Sequence, residues 1–301
     1  MVAPSISVII TAHNEGRELE RTVRSVVDRT RNLAEVIVVD EGSQDGSCQN
    51  LSPLGARVIR HDQRVGVAVS RDEGSRAATG DVLCYLDGHQ RLSKHCLDRC
   101  AQLAIDRTAI TCPDVQDYGW FAWRLYGAKF QLCPKHGYFS GDWHEWRPWQ
   151  RVRSVSGLRA PPYLIPRALY PSVAWSRALR GWGASEASVV VKSFFTGVNI
   201  LHLSGPVARH RFQNDFPYET TWGGIWRNQA IIARVCFDDA TWFDYWLPKV
   251  FDGHLGDETS TALESADLQA EHRAFLSKKV RTDRQFWTDL VGGAPPGEIP
   301  S

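Results

Sequence analysis

From Ser5 to Cys112 the sequence alternates between two hydrophobic periods, and this limits the fold more than any other feature. Ser5–Thr11 (SISVIIT) is rich in β-branched side chains and has no polar face, the pattern of a strand buried on both sides. Glu15–Thr30 follows with Leu19, Val23, Val26 and Val27 on one helical stripe and charges elsewhere. Glu35–Val39 (EVIVV) reads as a second strand, followed by a short helix. Ala56–Arg60 reads as a third strand, Val67–Ala78 as a helix and Asp81–Leu86 (DVLCYL) as a fourth strand. A further helix opens at Ser93, and a fifth strand lies near Ala109–Cys112. Strand–helix alternation at this spacing predicts parallel strands covered by helices on both faces.

Ligands of such sheets bind beyond the carboxyl ends of the strands. Three polar clusters fall there: Thr11-Ala12-His13-Asn14, Asp40-Glu41 and Asp87-Gly88-His89. At a strand end, residues i and i+2 point to one side, so Asp87 and His89 can chelate one cation. Oxygen-plus-nitrogen ligation suits Mn2+ and tolerates Mg2+; the plain alternative is a loop aspartate and a surface histidine. His210, in VARHRF, is the candidate third ligand, expected several residues past a strand and among arginines. Its competitor, His202, lies inside an apolar strand and reads as a satisfied core histidine or one that supports a ligand from behind.

Three further groups admit two readings each. Asp40-Glu41, followed by GSQDGS, fits a turn with an Asx-type cap or a carboxylate that accepts hydrogen bonds from a nucleobase or ribose. Arg71 fits a solvated helix face or a clamp on a diphosphate through parallel hydrogen bonds. In Trp182-Gly183-Ala184-Ser185-Glu186, Ser185 fits an N-cap with Glu186 in the first turn, where the helix dipole favours a carboxylate. Glu186 equally fits a general base or substrate-hydroxyl ligand at the rim of a site.

The second half is less regular. The stretch around 118–149 (DYGWFAWRLYGAKFQLCPKHGYFSGDWHEWRPWQ) is dense in tryptophan and has no clean period. It reads as an acceptor platform or lid, with Trp143 and Trp146 beside Trp182 as stacking surfaces, or as a satellite core under a long loop. Structure resumes with a strand at Tyr163–Ile165, a helix at Ser185–Phe195 stopped by Gly197, a strand at Val198–Leu203 and a helix at Trp222–Cys236. The aromatic run FDDATWFDYW then offers an apolar interface. The division expected is a single α/β domain over 1–250, made of a first half 1–113 and a second half 114–250, with a peripheral helical tail and frayed end at 251–301.

Composition excludes several functions. Lys and Arg total 35 against 34 Asp and Glu, a net charge of +1, so gripping nucleic acid or anionic lipid is not the main task. The seven cysteines are an odd number with no CxxC pair, neither a disulfide framework nor a thiolate zinc site. No apolar run approaches the ~20 residues of a membrane span, and the N-terminus has no basic leader. These features predict a soluble protein of a reducing compartment, the cytoplasm.

The order of pieces resembles a family. SVIITAHNEGRELERTVRSV, VIVVDEGSQDGS and SRDEGSRAATGDVLCYLDGH are similar to the nucleotide-binding half of family 2 glycosyltransferases, where the usual readings are VDDGSxDGS and GxxxARNxGxxxAxGxxxxxLDxD. Asp-x-His in place of DxD resembles the polypeptide N-acetylgalactosaminyltransferase branch. GWGASEASVVVKSFFTG resembles that branch's WGGEN helix, VARHRF its VGHVFR, and FPYETTWGGIWRNQAIIARVCFDDATWFDYW its C-terminal catalytic stretch.

The resemblance covers about residues 5–247 and implies a GT-A fold, a mixed sheet flanked by helices, and a metal-dependent glycosyltransferase. Such an enzyme moves a sugar from a UDP-sugar donor to a peptide, natural-product or glycan acceptor. It implies that Asp87, His89 and His210 hold Mn2+ or Mg2+, that Thr11, His13, Glu15, Asp40, Glu41 and Gly88 line the nucleotide-sugar, and that Arg71 meets the diphosphate. Glu186 and Asp87 would be the catalytic carboxylates. Two positions depart from the pattern: Glu41 replaces the second aspartate after strand two, and Ser185-Glu186 stands where the branch has Glu-Asn, leaving stereochemistry open. The competing readings are a degenerate carbohydrate- or peptide-binding module, and a sugar nucleotidyltransferase, whose early Gly-rich phosphate loop the sequence HNEGRE does not supply.

Overall fold

The structure, a computed structural model, describes residues 3–118, 123–144, 150–212 and 220–294. Strands β1 (Ile6–Ala12), β2 (Leu33–Asp40), β3 (Ala56–Arg60) and β4 (Val82–Asp87) pair in parallel, in the order β3-β2-β1-β4. Helix α1 (Arg17–Arg29) links β1 to β2, and α2 (Val67–Ala77) links β3 to β4. Successive side chains leave opposite faces of a strand, which splits the core in two. Ile9, Ile37, Val39, Leu83 and Tyr85 face one way; Val8, Ile10, Val36, Val38, Cys84 and Leu86 face the other. On that second face α1 buries Leu19, Val23 and Val26 completely, each worth roughly 1.5–3 kcal/mol. It has Glu18 and Glu20 in its first turn and Arg29 in its last, matching the helix dipole.

The chain continues through β5 (Gln90–Leu92), α3 (Cys96–Arg107) and β6 (Ile110–Asp117). Helix α3 starts three residues later than its sequence suggests, because Ser93–His95 form a turn with His95 in the left-handed region (φ 58°). Next come the edge strand β7 (Arg124–Leu125), the hairpin β8 (Ala128–Leu132) and β9 (Phe139–Trp143), β10 (Val152–Ser154) and β11 (Tyr163–Pro166). Strand β11 inserts antiparallel between β4 and β6 and makes the sheet mixed. After α4 (Tyr170–Val173) and α5 (Ser185–Phe195), the long β12 (Ile200–His210) pairs in parallel with β6 and antiparallel with β5 and β10.

Two regions depart from the sequence reading. The tryptophan-rich stretch contains a regular hairpin whose Phe130 and Phe139 are buried in the main core. Its described part is therefore partly core, although it has no clean period, because only one face of a short hairpin meets the aromatic cluster around Phe237, Trp246 and Phe286. The C-terminal segment is not peripheral over its described residues, which run to 294; the end expected to fray lies beyond them. Helix α6 (Trp222–Cys236) is followed by a short α7 (Asp239–Thr241), which runs into a π-helical turn at Trp242–Phe251, then by α8 (Asp257–Glu264), α9 (Ala266–Leu276), α10 (Asp283–Gln285) and a π turn at Phe286–Val291. Phe286 is fully buried, with its ring centroid 4.8 Å from Phe237, 5.7 Å from Phe130 and 5.8 Å from Phe195. The run expected as an exposed interface also turns inward: Trp242 and Trp246 are buried, while Phe243 stays exposed. Among the described residues, no helix is long and apolar enough to cross a membrane.

Candidate active site

The parallel register delivers the strand-end clusters to one edge of the sheet. Thr11 pairs with Asp87 on one side and Val39 on the other, and Ala12 pairs with Asp40. Beyond Asp87 the chain turns at Gly88-His89 into β5, whose Gln90 pairs with His210 at the end of β12. That pairing brings two residues 121 positions apart in the chain, His89 and His210, into edge-to-face contact at 4.9 Å. His210 is the last residue of β12 rather than a residue beyond it, because β12 runs on to pair with both β5 and β6.

The turn is held from behind. Thr22 on α1 donates to Gly88 O (2.7 Å) and accepts from Gln90 N (3.0 Å). The Gln90 amide accepts from Asp87 N (3.1 Å) and donates to Pro161 O (2.6 Å). A Cβ at Gly88 would lie 2.6 Å from Glu15 Cγ. A side chain there would displace the carboxylate that stands 2.9 Å from His89 Nδ1. Glu15 thereby fixes the His89 ring with Nδ1–H donating, which leaves Nε2 as the ligand atom, a common support for a metal-bound imidazole.

Asp87, His89 and His210 each offer one ligand atom, and these atoms lie within 4.8 Å of one another. His210 Nε2 sits 3.1 Å from Asp87 Oδ2, while its buried Nδ1 has no partner. One carboxylate and two imidazoles, one of them with an orphaned nitrogen and the other braced by Glu15, fit a divalent cation of the Mn2+ kind. Burial works against the Asp87 charge, but the His210 hydrogen bond and the Arg71 charge outweigh it and hold the carboxyl well below the usual range. Burial also works against protonation of His89, and the Glu15 hydrogen bond and charge outweigh it, raising that imidazole.

Arg71 lies on α2 beneath this cluster, and its side chain is 2% exposed. It is neither a solvated helix residue nor an open clamp. Its guanidinium donates to Glu186 Oε1 (2.6 Å), Tyr163 Oη (3.0 Å), Ser185 Oγ (3.1 Å) and Asp87 Oδ1 (3.1 Å). Ser185 also donates to Glu186 Oε2 at 2.6 Å. The N-cap of α5 is Ala184, in the left-handed region at φ 62°, with Ser185 the first helical residue. Ser185 does not cap because its hydroxyl is committed to Arg71 and Glu186.

Helix α5 arrives at this place through the loop Arg180–Gly183. Asn228, 1% exposed on α6, accepts from Arg180 N (3.0 Å) and donates to the carbonyls of Arg180 (2.7 Å) and Gly183 (3.1 Å). On the other side Gly66 packs so closely on Gly181 that a Cβ at Gly66 would be 2.3 Å from Gly181 N. Sequence reasoning missed Thr22, Gln90, Tyr163 and Asn228. Only Asn228-Gln229, a polar pair opening the apolar run AIIARVC, carried a local signal.

These groups border a cavity of about 660 Å³ lined by Thr11, His13, Glu15, Glu41, Arg71, Asp87, His89, Glu186, His210 and Trp182, among others. His13 Nδ1 lies 2.8 Å from Glu41 O. Glu41 reaches the cavity but commits Oε1 to Gly66 N (3.0 Å) and Ser70 Oγ (2.6 Å), tying β2 to the start of α2. Asp40 and Gly88 are not among the lining residues. Asp40 is fully buried, accepts from Ser43 N (2.8 Å) and pairs with Arg60, so the turn reading holds for it. Trp143 is not among the lining residues but stacks against the guanidinium of Arg159, which is, and Trp146 lies outside the described residues. His202 is buried with Nε2 2.8 Å from Asp114 Oδ1.

The family model for glycosyl transferase family 2 matches residues 7–160. The chain is 34% identical to human polypeptide N-acetylgalactosaminyltransferase 14 over 94% of its own length and 53% of that protein's. It is 25% identical to mouse polypeptide N-acetylgalactosaminyltransferase 10, over 99% of this chain and 52% of the other. The chain thus spans about half the length of these curated relatives. Among solved structures, GalNAc-T7 with UDP, GalNAc and Mn2+ superposes with a TM-score of 0.71 at 20% identity, over 90% of this chain and 55% of that one. A mannosyltransferase from Pyrobaculum calidifontis with GDP-Man and Mn2+ gives 0.51 at 17%, over 92% and 75%. The fold is the GT-A arrangement expected from the sequence.

Proposed function

This chain belongs to glycosyltransferase family 2, and from that premise we propose that it transfers a sugar from a UDP-sugar to an acceptor hydroxyl with Mn2+ or Mg2+ as cofactor. The observation that carries the reading is the Asp87, His89 and His210 cluster at the carboxyl edge of the sheet, beside Arg71 and Glu186. UDP, GalNAc and Mn2+ in the GalNAc-T7 structure support the choice of donor and metal.

Asp87, His89 and His210 would hold the cation, which when bound offsets negative charge on the diphosphate leaving group. Thr11, His13 and Glu41 would border the uridine. Arg71 acts from beneath: it fixes Asp87 and Glu186 in one arrangement and supplies positive charge near the leaving group. Glu186 has one hydrogen bond on each oxygen, from Arg71 and Ser185, so its orientation is set before substrate arrives. Its remaining acceptor capacity faces a hydroxyl of donor sugar or acceptor. The acceptor is a peptide, small molecule or glycan. A reducing compartment such as the cytoplasm belongs to this reading, supported by seven unpaired cysteines, six of them buried.

The test is thermal unfolding with UDP, with and without Mn2+, since a ligand that binds only the folded state raises the melting temperature. Stabilisation by UDP that requires Mn2+, and that is lost in His89→Ala and His210→Ala, is the expected result. No UDP effect, or one indifferent to metal, would overturn the reading.

A further inference from the structure

The cavity has two ends of different chemistry. The charged residues gather at the end formed by β1, β4 and the N-terminus of α5; the other end is walled by the β8–β9 hairpin and α6. Trp222, Ile225 and Gln229 fall on one face of α6 at helical spacing, opposite Tyr138 and Phe139 of the hairpin. Of the nine large apolar side chains most exposed among the described residues, three border this one cavity: Trp182 (38%), Phe212 (42%) and Trp222 (61%). Exposed apolar surface gathered around one opening marks a binding surface.

The polar groups at this end are largely committed. Gln229 accepts from Phe139 N and donates to Phe139 O, both at 3.0 Å. Arg159, the one charged side chain lining the cavity at this end among the described residues, reaches Gly141 O (2.5 Å), Asp142 (3.8 Å) and the face of Trp143. A ligand buried here with many hydroxyls or a charge would leave them unpaired, at a cost that discriminates strongly against it. A flat apolar ring would instead stack on indole and phenyl faces. The apolar wall is continuous with the reacting end. Phe212 packs 4.4 Å from His210, and Trp182 is four residues before Glu186.

We propose that the acceptor is a small, uncharged, ring-bearing alcohol or phenol, seated on Trp182, Phe212 and Trp222 with its hydroxyl toward Asp87 and Glu186. The proposal rests on the glycosyltransferase reading above.

The experiment is isothermal titration of the full chain with three probes: 4-phenylphenol, methyl glucoside and a short polar serine–threonine peptide. Each is run with and without UDP and Mn2+. Expected is measurable binding of the phenol at least about tenfold tighter than the other two, weakened about tenfold by Trp222→Ala or Phe212→Ala. UDP–Mn2+ binding should persist in Trp222→Ala. Peptide or glycoside binding as tight as the phenol overturns the proposal, as does phenol binding indifferent to both substitutions. Phenol binding in a protein that fails to bind UDP–Mn2+ sustains the apolar site while overturning the donor reading.

Discussion

The turn at Asp87–Gln90 and the C-terminal segment Asp257–Val291 both withdraw side chains from water, by opposite means. At the turn the withdrawn groups are charged or polar and each is matched: Asp87 by Arg71 and His210, His89 by Glu15, Gln90 by Pro161 and the Asp87 backbone. In the tail the largest withdrawn groups are apolar rings, Phe275, Phe286 and Trp287, against an apolar surface. Apolar burial is non-directional and stabilises in proportion to area. Charge burial breaks roughly even when paired and becomes costly once a partner is lost. The tail thus contributes stability that the charged cluster beside the cavity does not.

Removing one member from each region tests this contrast. Phe286→Ala empties a site with no exposure and seven ring neighbours among the described residues, so a loss of about 3–5 kcal/mol is expected in urea unfolding. The folded fraction should keep its UDP–Mn2+ binding. Unfolding free energy unchanged by the substitution would return the tail to the periphery.

Arg71→Ala removes the one guanidinium that two carboxylates share. Asp87 and Glu186 keep 23% and 21% side-chain exposure, so water relieves part of the penalty. The stability loss therefore falls near the lower end of the ~3–5 kcal/mol typical of a broken buried pair. Unlike Phe286→Ala, it should abolish UDP–Mn2+ stabilisation even in the folded protein. Arg71→Lys should recover only part of both, because one ammonium cannot replace a planar fork spanning two carboxylates. Normal nucleotide binding in Arg71→Ala would separate the arginine from the donor site.

The same contrast explains what could be read in advance. The β1-to-β4 half was legible because each strand–helix unit declares itself over about ten residues and the parallel register then places the polar ends together. His210 was legible as a candidate third ligand from its place after a strand, and family likeness supported it, but nothing local in VARHRF signals that β12 runs on to meet β5. Arg71 was singled out but not its burial: that depends on Tyr163, Ser185 and Glu186, brought in by strands and helices about a hundred residues later. Phe286 and Trp287 sit in a short polar stretch, RTDRQFWTDL, where two rings make no period. Their burial is decided by the surface they meet.

His272 is where the tail adopts the logic of the charged turn, and the effect there is smallest. Its imidazole is 3% exposed on α9, with Nε2 3.1 Å from an Arg234 nitrogen and Nδ1 3.3 Å from Val235 O. Arg234 can only donate, so the neutral ring accepts at Nε2 and donates from Nδ1; a second proton would point at a guanidinium. Burial and the Arg234 charge hold the pKa below its ordinary value, against opposing attraction from Asp239, 3.4 Å away, while Lys279 adds to the repulsion. Above the unfolded histidine value of about 6.5, the ring is neutral in both states and contributes no pH dependence. Below it the unfolded chain takes up a proton that the folded chain resists, so stability falls with pH until the depressed folded value is passed. Urea midpoints between pH 7.5 and 5 should therefore decline more steeply in the wild type than in His272→Gln, about as these pH values straddle the ordinary imidazole range. Parallel declines would mean that His272 takes its proton as readily in the folded tail as in water, and that the Arg234 contact does not set its charge as the partners at the turn set theirs.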